Sequence, residues 1–167
     1  GLNYIALRYF NACGAILDQN LGELHEPETH LIPIVIDSVF KNKTFNVFGD
    51  DYNTPDGKCI RDYLHIKDIA IAHEKALEYL DKHNRSLKIN LGTGHGYSVN
   101  QVVDEIEKYL NKKVNINFAP RREGDPAILV ANPELAHNIL GWQAQHSSLE
   151  EIVRDACDFY QTSILKS

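Results

Sequence analysis

Apolar positions along this chain recur at two spacings, and the alternation between them lays out the elements. Leu2 to Phe10 is rich in aliphatic and aromatic residues and gives way to small and polar ones from Asn11 to Gly14. That predicts a buried strand entering a loop that runs to about Thr29. From Leu31 to Phe40 the spacing turns helical (Leu31, Ile34, Val35, Val39), with Pro33 tolerated because it falls in the first turn. Phe45 to Phe48 reads as a short strand, and the turn formers between Gly49 and Gly57 as a surface loop. Cys59 to Ile66 alternates like a strand, after which Asp68 suits the cap of a helix with Ile69, Ala72, Ala76, Leu77 and Leu80 as its apolar stripe. Lys88 to Leu91 predicts a further strand. Ser98 and Gln101 have capping-box spacing ahead of a helix carrying Val99, Val102, Val103, Ile106 and Leu110. Val114 to Phe118 reads as a strand, Asn132-Pro133 as a helix start and Gly141 as its stop. Ser148 with Glu151 repeats the capping box before a last helix to about Thr162.

Strands alternate with helices throughout, so the expected class is α/β. A doubly wound sheet opens with a strand, a glycine-rich turn and a helix. Nothing near residue 1 has that form, so the first half of such a fold is expected to lie elsewhere.

At 167 residues, 43% of them hydrophobic, the chain can build one ordinary core. Its net charge of -6 argues against a nucleic-acid binder held by phosphate contacts. No run of 18 apolar residues and no signal-peptide layout is present, so no membrane partner and a cytoplasmic location are expected. The three cysteines, Cys13, Cys59 and Cys157, have no pairing or zinc spacing and read as small apolar residues. The absence of Met suggests a piece of a longer protein.

Several stretches invite chemistry. Gly92-Thr93-Gly94-His95-Gly96 sits between a strand and a helix, but Tyr97 stands where a dinucleotide fingerprint needs its third glycine. A tight turn delivering Ser98 to its cap is the simpler account. Tyr63 with Lys67 and Tyr109 with Lys113 have the Tyr-x-x-x-Lys spacing of a dehydrogenase acid/base pair. Neither lies within a helix that would bring the two groups together. The histidines are scattered without metal spacing, and no site for a metal is expected. More informative are Arg121 and Arg122, on a proline-bounded loop of an acidic protein, and Arg61 in Cys59-Ile60-Arg61-Asp62-Tyr63. Arginine's planar fork suits phosphate oxygens, and Asp125 could accept from sugar hydroxyls. Internal ion pairs, Arg61 with Asp62 or Arg122 with Asp125, are an equally good account at this level.

Seven strings occur in order: Leu7-Arg8-Tyr9-Phe10-Asn11, Pro27-Glu28-Thr29-His30-Leu31-Ile32-Pro33, Val47-Phe48-Gly49-Asp50-Asp51-Tyr52, Thr54-Pro55-Asp56-Gly57, Ile60-Arg61-Asp62-Tyr63-Leu64-His65, Asn90-Leu91-Gly92-Thr93-Gly94 and Arg121-Arg122-Glu123-Gly124-Asp125-Pro126-Ala127. Together they resemble the C-terminal half of the UDP-glucose 4-epimerase family, which are extended short-chain dehydrogenase/reductases. The resemblance implies that residues 1–167 are the substrate-binding part of such a fold. Two strands, Ile5 to Phe10 and Lys88 to Leu91, would complete a Rossmann-like sheet. It implies an NAD-dependent isomerase acting on UDP-hexoses, a homo-oligomer, with NAD bound mainly by an N-terminal half not in this sequence. No catalytic residue is expected in this chain.

By the same resemblance Phe10 lies at the nicotinamide end of NAD, while Asn11, His30 and Leu31 contact the UDP-sugar. Asn46, Val47 and Phe48 border the uracil, Arg61 and Arg122 bind the diphosphate, and Asp125 a ribose hydroxyl. Leu129 occupies a place where side-chain size is associated with acceptance of N-acetylated sugars. The other readings are a sibling UDP-sugar epimerase or decarboxylase, and a noncatalytic UDP-sugar-binding or regulatory module.

Overall fold

The structure, a computed structural model, describes residues 1–165. Strand β1 (Ile5–Arg8) is followed by β2 (Asn11–Cys13), where a loop was expected. Helix α1 (Leu31–Phe40) has its expected bounds, and β3 (Thr44–Phe48) follows. The expected strand from Cys59 to Ile66 is two strands, β4 (Ile60–Arg61) and β5 (Tyr63–His65), in different sheets. Helix α2 (Ile66–Lys82) leads to β6 (Leu87–Asn90), β7 (Tyr97–Ser98) and α3 (Val99–Leu110). Then come β8 (Asn115–Ala119), β9 (Ile128–Leu129), α4 (Glu134–Leu140) and α5 (Leu149–Phe159), which ends in a π-helical turn at Tyr160–Ile164.

β1 pairs in parallel with β6, from Ile5 opposite Leu87 to Arg8 opposite Asn90. This is the partial Rossmann-like sheet that the resemblance implies, with each strand ending earlier than expected, at Arg8 and Asn90. β2 pairs in parallel with β5 and β3 with β8, while β4 lies between antiparallel β7 and parallel β9. Two cores result. Ile32, Val35 and Ile36 of α1, Val102, Val103 and Ile106 of α3 and Ile152, Val153 and Cys157 of α5 pack with Phe45 and Val47 of β3. Ile69, Ala72 and Ala76 of α2, Ile89 of β6, Ala136 and Leu140 of α4 and Trp142 form the second. Leu77 does not join it; the side chain stays exposed.

Capping explains most boundaries, with two corrections. Ser98 and Gln101 form the full capping box at α3, and Gly141 ends α4 with a positive φ of 58°. At α2 the cap is His65, whose Nδ1 accepts from the Lys67 amide at 3.0 Å. Asp68 instead lies inside the first turn, its carboxylate accepting from the Gln145 and His146 amides at 2.9 Å each and from the Ser147 hydroxyl at 2.6 Å. It ties the segment before α5 to α2. The box at α5 is half formed: Ser148 Oγ accepts from the Glu151 amide at 3.2 Å, but the Glu151 carboxylate meets His146 Nδ1 at 3.0 Å.

Candidate functional site

Asp62 explains why the expected long strand divides. Its side chain is buried and accepts from the Thr93 amide at 3.1 Å, the Thr93 hydroxyl at 2.8 Å and the Ala131 amide at 3.2 Å. A carboxylate that satisfies three donors breaks the alternation and sends the chain from one sheet into another. Close packing accounts for two of the glycines beyond β6. A Cβ on Gly92 would lie 2.4 Å from Asp62 Oδ2 and 2.6 Å from Ala131 Cβ, and one on Gly96 would lie 2.8 Å from the Arg61 carbonyl oxygen. At Gly92 and Gly96 the turn is packed against this chain's own atoms, while Gly94 has a positive φ of 82° with only Pro133 beside it. The first and last glycines thus serve packing.

Neither Tyr-x-x-x-Lys stretch makes an acid/base pair. Burial pushes the Tyr63 phenol far up, and Lys67 Nζ turns to Asp155 at 2.9 Å. Tyr109, pushed up to about 12 first by burial and then by Asp158, donates to Asp158 at 2.7 Å. The thiols are similarly quiet. Burial raises Cys13, Cys59 and Cys157, the last to about 12. Cys13 and Cys157 are buried as expected, and Cys59 is half-buried.

Most of the sequence-derived candidates gather along the β3–β8 and β4–β9 pairs. On β3 the alternation turns Val47 into the core and leaves Asn46 and Phe48 on the other face. Only the backbone of Val47 can therefore border a base. Asn46 Oδ1 accepts from Asn117 Nδ2 at 2.9 Å, and the Arg122 guanidinium lies 4.0 Å from the centre of the Phe48 ring. A turn closed by the Asp125 amide to the Arg122 carbonyl, 3.3 Å, carries the chain to Asp125, which pairs with Arg61. Neither ion pair expected from adjacency forms: Arg61 takes Asp125, and Arg122 has no carboxylate partner among the described residues. Leu129 stands opposite Arg61 in the β4–β9 register, and Asn11 Nδ2 donates to the Asp62 carbonyl at 2.8 Å.

His30, Leu31 and Phe10 stand apart from this group. His30 precedes α1 and pairs through Nδ1 with Glu23; Leu31 is the first residue of α1. Phe10, between β1 and β2, leaves its ring exposed. Among the described residues no hydrogen bond or ion pair joins them to the arginines.

Two more cations lie at this rim: Arg121, visible in the sequence beside Arg122 but given no role, and Lys58, which no sequence signal marked. Lys58 is buried, its Nζ 4.7 Å from the centre of the Phe118 ring, and Arg121 lies 4.3 Å from that of Tyr52 while its Nε reaches Asp51 at 2.5 Å. With Arg122 on Phe48 they form three cation–aromatic pairs around the β3–β8 rim. Phe118 falls within the expected strand Val114 to Phe118, whereas nothing local to Lys58 in the sequence marks it as buried. Such a rim offers positive charge beside flat faces, which suits an anion carrying an aromatic ring.

Residues 1–92 match the model of the NAD dependent epimerase/dehydratase family. The chain is 49% identical to a UDP-glucose 4-epimerase of Rhizobium meliloti over 147 residues, 87% of this chain and 45% of that protein. The solved UDP-glucose 4-epimerase of Brucella ovis in complex with NAD is 46% identical, with a TM-score of 0.91 over 96% of this chain and 50% of that one. The enzyme of Stenotrophomonas maltophila, solved with NAD and formylated UDP-arabinopyranose, gives 38% and 0.94 over 99% and 50%. The chain spans about half the length of the curated relatives it matches. Among the described residues no helix is long and apolar enough to cross a membrane.

Proposed function

The chain belongs to the NAD dependent epimerase/dehydratase family, and from that premise we propose that it is the nucleotide-sugar-binding half of a UDP-glucose 4-epimerase. In this reading Arg61 and Arg122 hold the diphosphate from two sides. Phe48 and Asn46, with the Val47 backbone, border the uracil, and Asp125 accepts from a ribose hydroxyl. Asn11, His30 and Leu31 line the sugar's end of the site, with Leu129 near it, and Phe10 borders the nicotinamide of NAD held mainly by chain beyond these residues. No step of hydride transfer is assigned to this half, which by itself would be inactive.

The supporting observation is the Arg122–Phe48 stack beside the Arg61–Asp125 pair, joined by one short turn. It brings together an aromatic ring, two guanidinium groups and a carboxylate, the kinds of group that a base, a diphosphate and a ribose hydroxyl would call on. The chemistry explains why the grip would favour the nucleotide. Inverting one carbon of a hexose by removing and returning hydride requires the sugar to show both faces, so tight contacts to the ring would hinder the reaction. Contacts to the remote nucleotide supply affinity without that cost.

The test is Arg122→Ala in the complete protein, with UDP affinity read by calorimetry. Losing a charge-assisted hydrogen bond should weaken binding by about 1.5–3 kcal/mol, roughly 10- to 150-fold. Unchanged affinity would refute the assignment. Interconversion of UDP-glucose and UDP-galactose by the complete protein separates this reading from a sibling decarboxylase and from a noncatalytic module.

A further inference from the structure

The loop between β2 and α1 brings together Glu23, His25, Glu28 and His30, each with one ligand atom within 4.8 Å of the other three. Spacing along the sequence gives no familiar metal motif; the loop's own fold makes the cluster. His25 Nδ1 lies 3.2 Å from Glu23 Oε1 and 3.6 Å from Glu28 Oε2, and His30 Nδ1 lies 3.5 Å from Glu28 Oε1 and in contact with Glu23. Zinc bonds to imidazole nitrogen and carboxylate oxygen run about 2.0–2.2 Å, so the edges of a tetrahedral site are roughly 3.3–3.6 Å. The separations from His25 Nδ1 to Glu23 Oε1 and to Glu28 Oε2 lie close to those edges, and the His30–Glu23 contact would open to reach them.

We propose that Glu23, His25, Glu28 and His30 form a four-coordinate site for a divalent transition metal of the zinc type, which fastens this loop ahead of α1. Two imidazoles favour zinc or its neighbours over magnesium or calcium, which take oxygen ligands. Four protein ligands leave no open position, the mark of a structural rather than catalytic ion. The supporting shell is in place: Glu28 Oε1 accepts from the amides of Thr29 at 2.7 Å and His30 at 2.8 Å, which fixes that carboxylate and leaves Oε2 to face the cluster. The two imidazole rings, 5.1 Å apart, are inclined at 57° rather than stacked, as converging ligands would be. Both carboxylates are partly withdrawn from solvent while the two histidines are exposed. Coordination through Nδ1 leaves Nε2 of His30 free, so the site does not compete with the sugar contact proposed for that residue, and it stands whether or not the chain binds UDP.

The test uses the complete, untagged protein, stripped with chelator, dialysed and titrated with ZnCl2 against a chromophoric chelator. One zinc per chain is expected, with affinity at least 10-fold weaker in His25→Ala and in Glu23→Gln. His83→Ala, outside the loop, should bind as the unmodified protein does. Circular dichroism of each variant confirms that it folds, and if His25→Ala fails this check, Glu23→Gln carries the comparison. No stoichiometric zinc, or zinc binding that both variants retain in full, would overturn the proposal.

Discussion

Arg61 and Arg122 are held by different means, and the difference decides how each would meet a phosphate. Arg61 is held by Asp125 and by its hydrogen bond to the Ile60 carbonyl at 2.7 Å, so its fork is aimed before any anion arrives. Arg122 rests on Phe48 with its donors uncommitted to any carboxylate among the described residues. Because the planar stack needs a guanidinium, Arg122→Lys should recover only part of the UDP affinity lost in Arg122→Ala; full recovery by calorimetry would show that charge alone matters. These arginines were visible in the sequence as basic residues on a loop of an acidic chain. Their partners were not, because Asp125 is 64 residues from Arg61 and only the β4–β9 pairing brings them together. Asp62 looked like a neighbour for Arg61 and is a buried structural acceptor. Asp62→Ala would strand the Thr93 and Ala131 amides, at about 1–2 kcal/mol each, so urea unfolding should show a loss of about 2–4 kcal/mol. A loss below 1 kcal/mol would contradict the role given to this carboxylate.

Among the elements, helices were the most legible, since caps and apolar spacing are local: Ser98, Gly141 and the Leu31–Phe40 bounds of α1 could be read directly. Short strands were less so, because β2 and the β4–β5 break depend on partners distant in sequence. The turn after β6 illustrates the limit. Its glycines suggest phosphate binding, yet Gly92 is needed so that Asp62 can approach. Gly92→Ala should therefore lower stability by about 1–3 kcal/mol through overpacking, and an unchanged urea midpoint would contradict this account. The start of α2 carries a pH response. His65 is wholly buried, its Nε2 has no hydrogen-bond partner among the described residues, and it lies 3.3 Å from Asp155 Oδ2. Burial, with Lys67 adding to it, lowers the His65 pKa despite Asp155 and Glu151. The unfolded chain then takes up this proton near pH 6.5 while the folded one does not, so stability falls as pH drops below about 6.5. Although burial opposes it, Lys67 and Arg154 hold Asp155 below the usual carboxylate range, and its contribution disappears only in stronger acid. His65→Asn, which keeps a cap acceptor, should lose less stability than the unmodified protein between pH 7 and 5 by urea unfolding. Equal losses would remove His65 as the cause.

At the scale of the whole molecule the two cores divide the work. One, around α1, α3 and α5, supports the β3–β8 rim; the other packs α2 and α4 against β1 and β6. Among the described residues the β1–β6 ribbon has two strands, with Leu2 and Tyr4 exposed before β1 and Tyr9 and Phe10 exposed after it. An unpaired strand edge beside apolar side chains invites pairing with another chain. Sedimentation of the 167-residue chain alone should reveal self-association, and a stable monomer across micromolar concentrations would count against that expectation. The proposed nucleotide grip lies on the rim that the first core supports. A crystal structure of the complete protein with UDP tests that placement most directly. The account predicts both guanidinium groups, Arg61 and Arg122, within hydrogen-bonding distance of the diphosphate, with uracil beside Phe48 and Asn46 and the ribose at Asp125. UDP bound with neither arginine on a phosphate would contradict it.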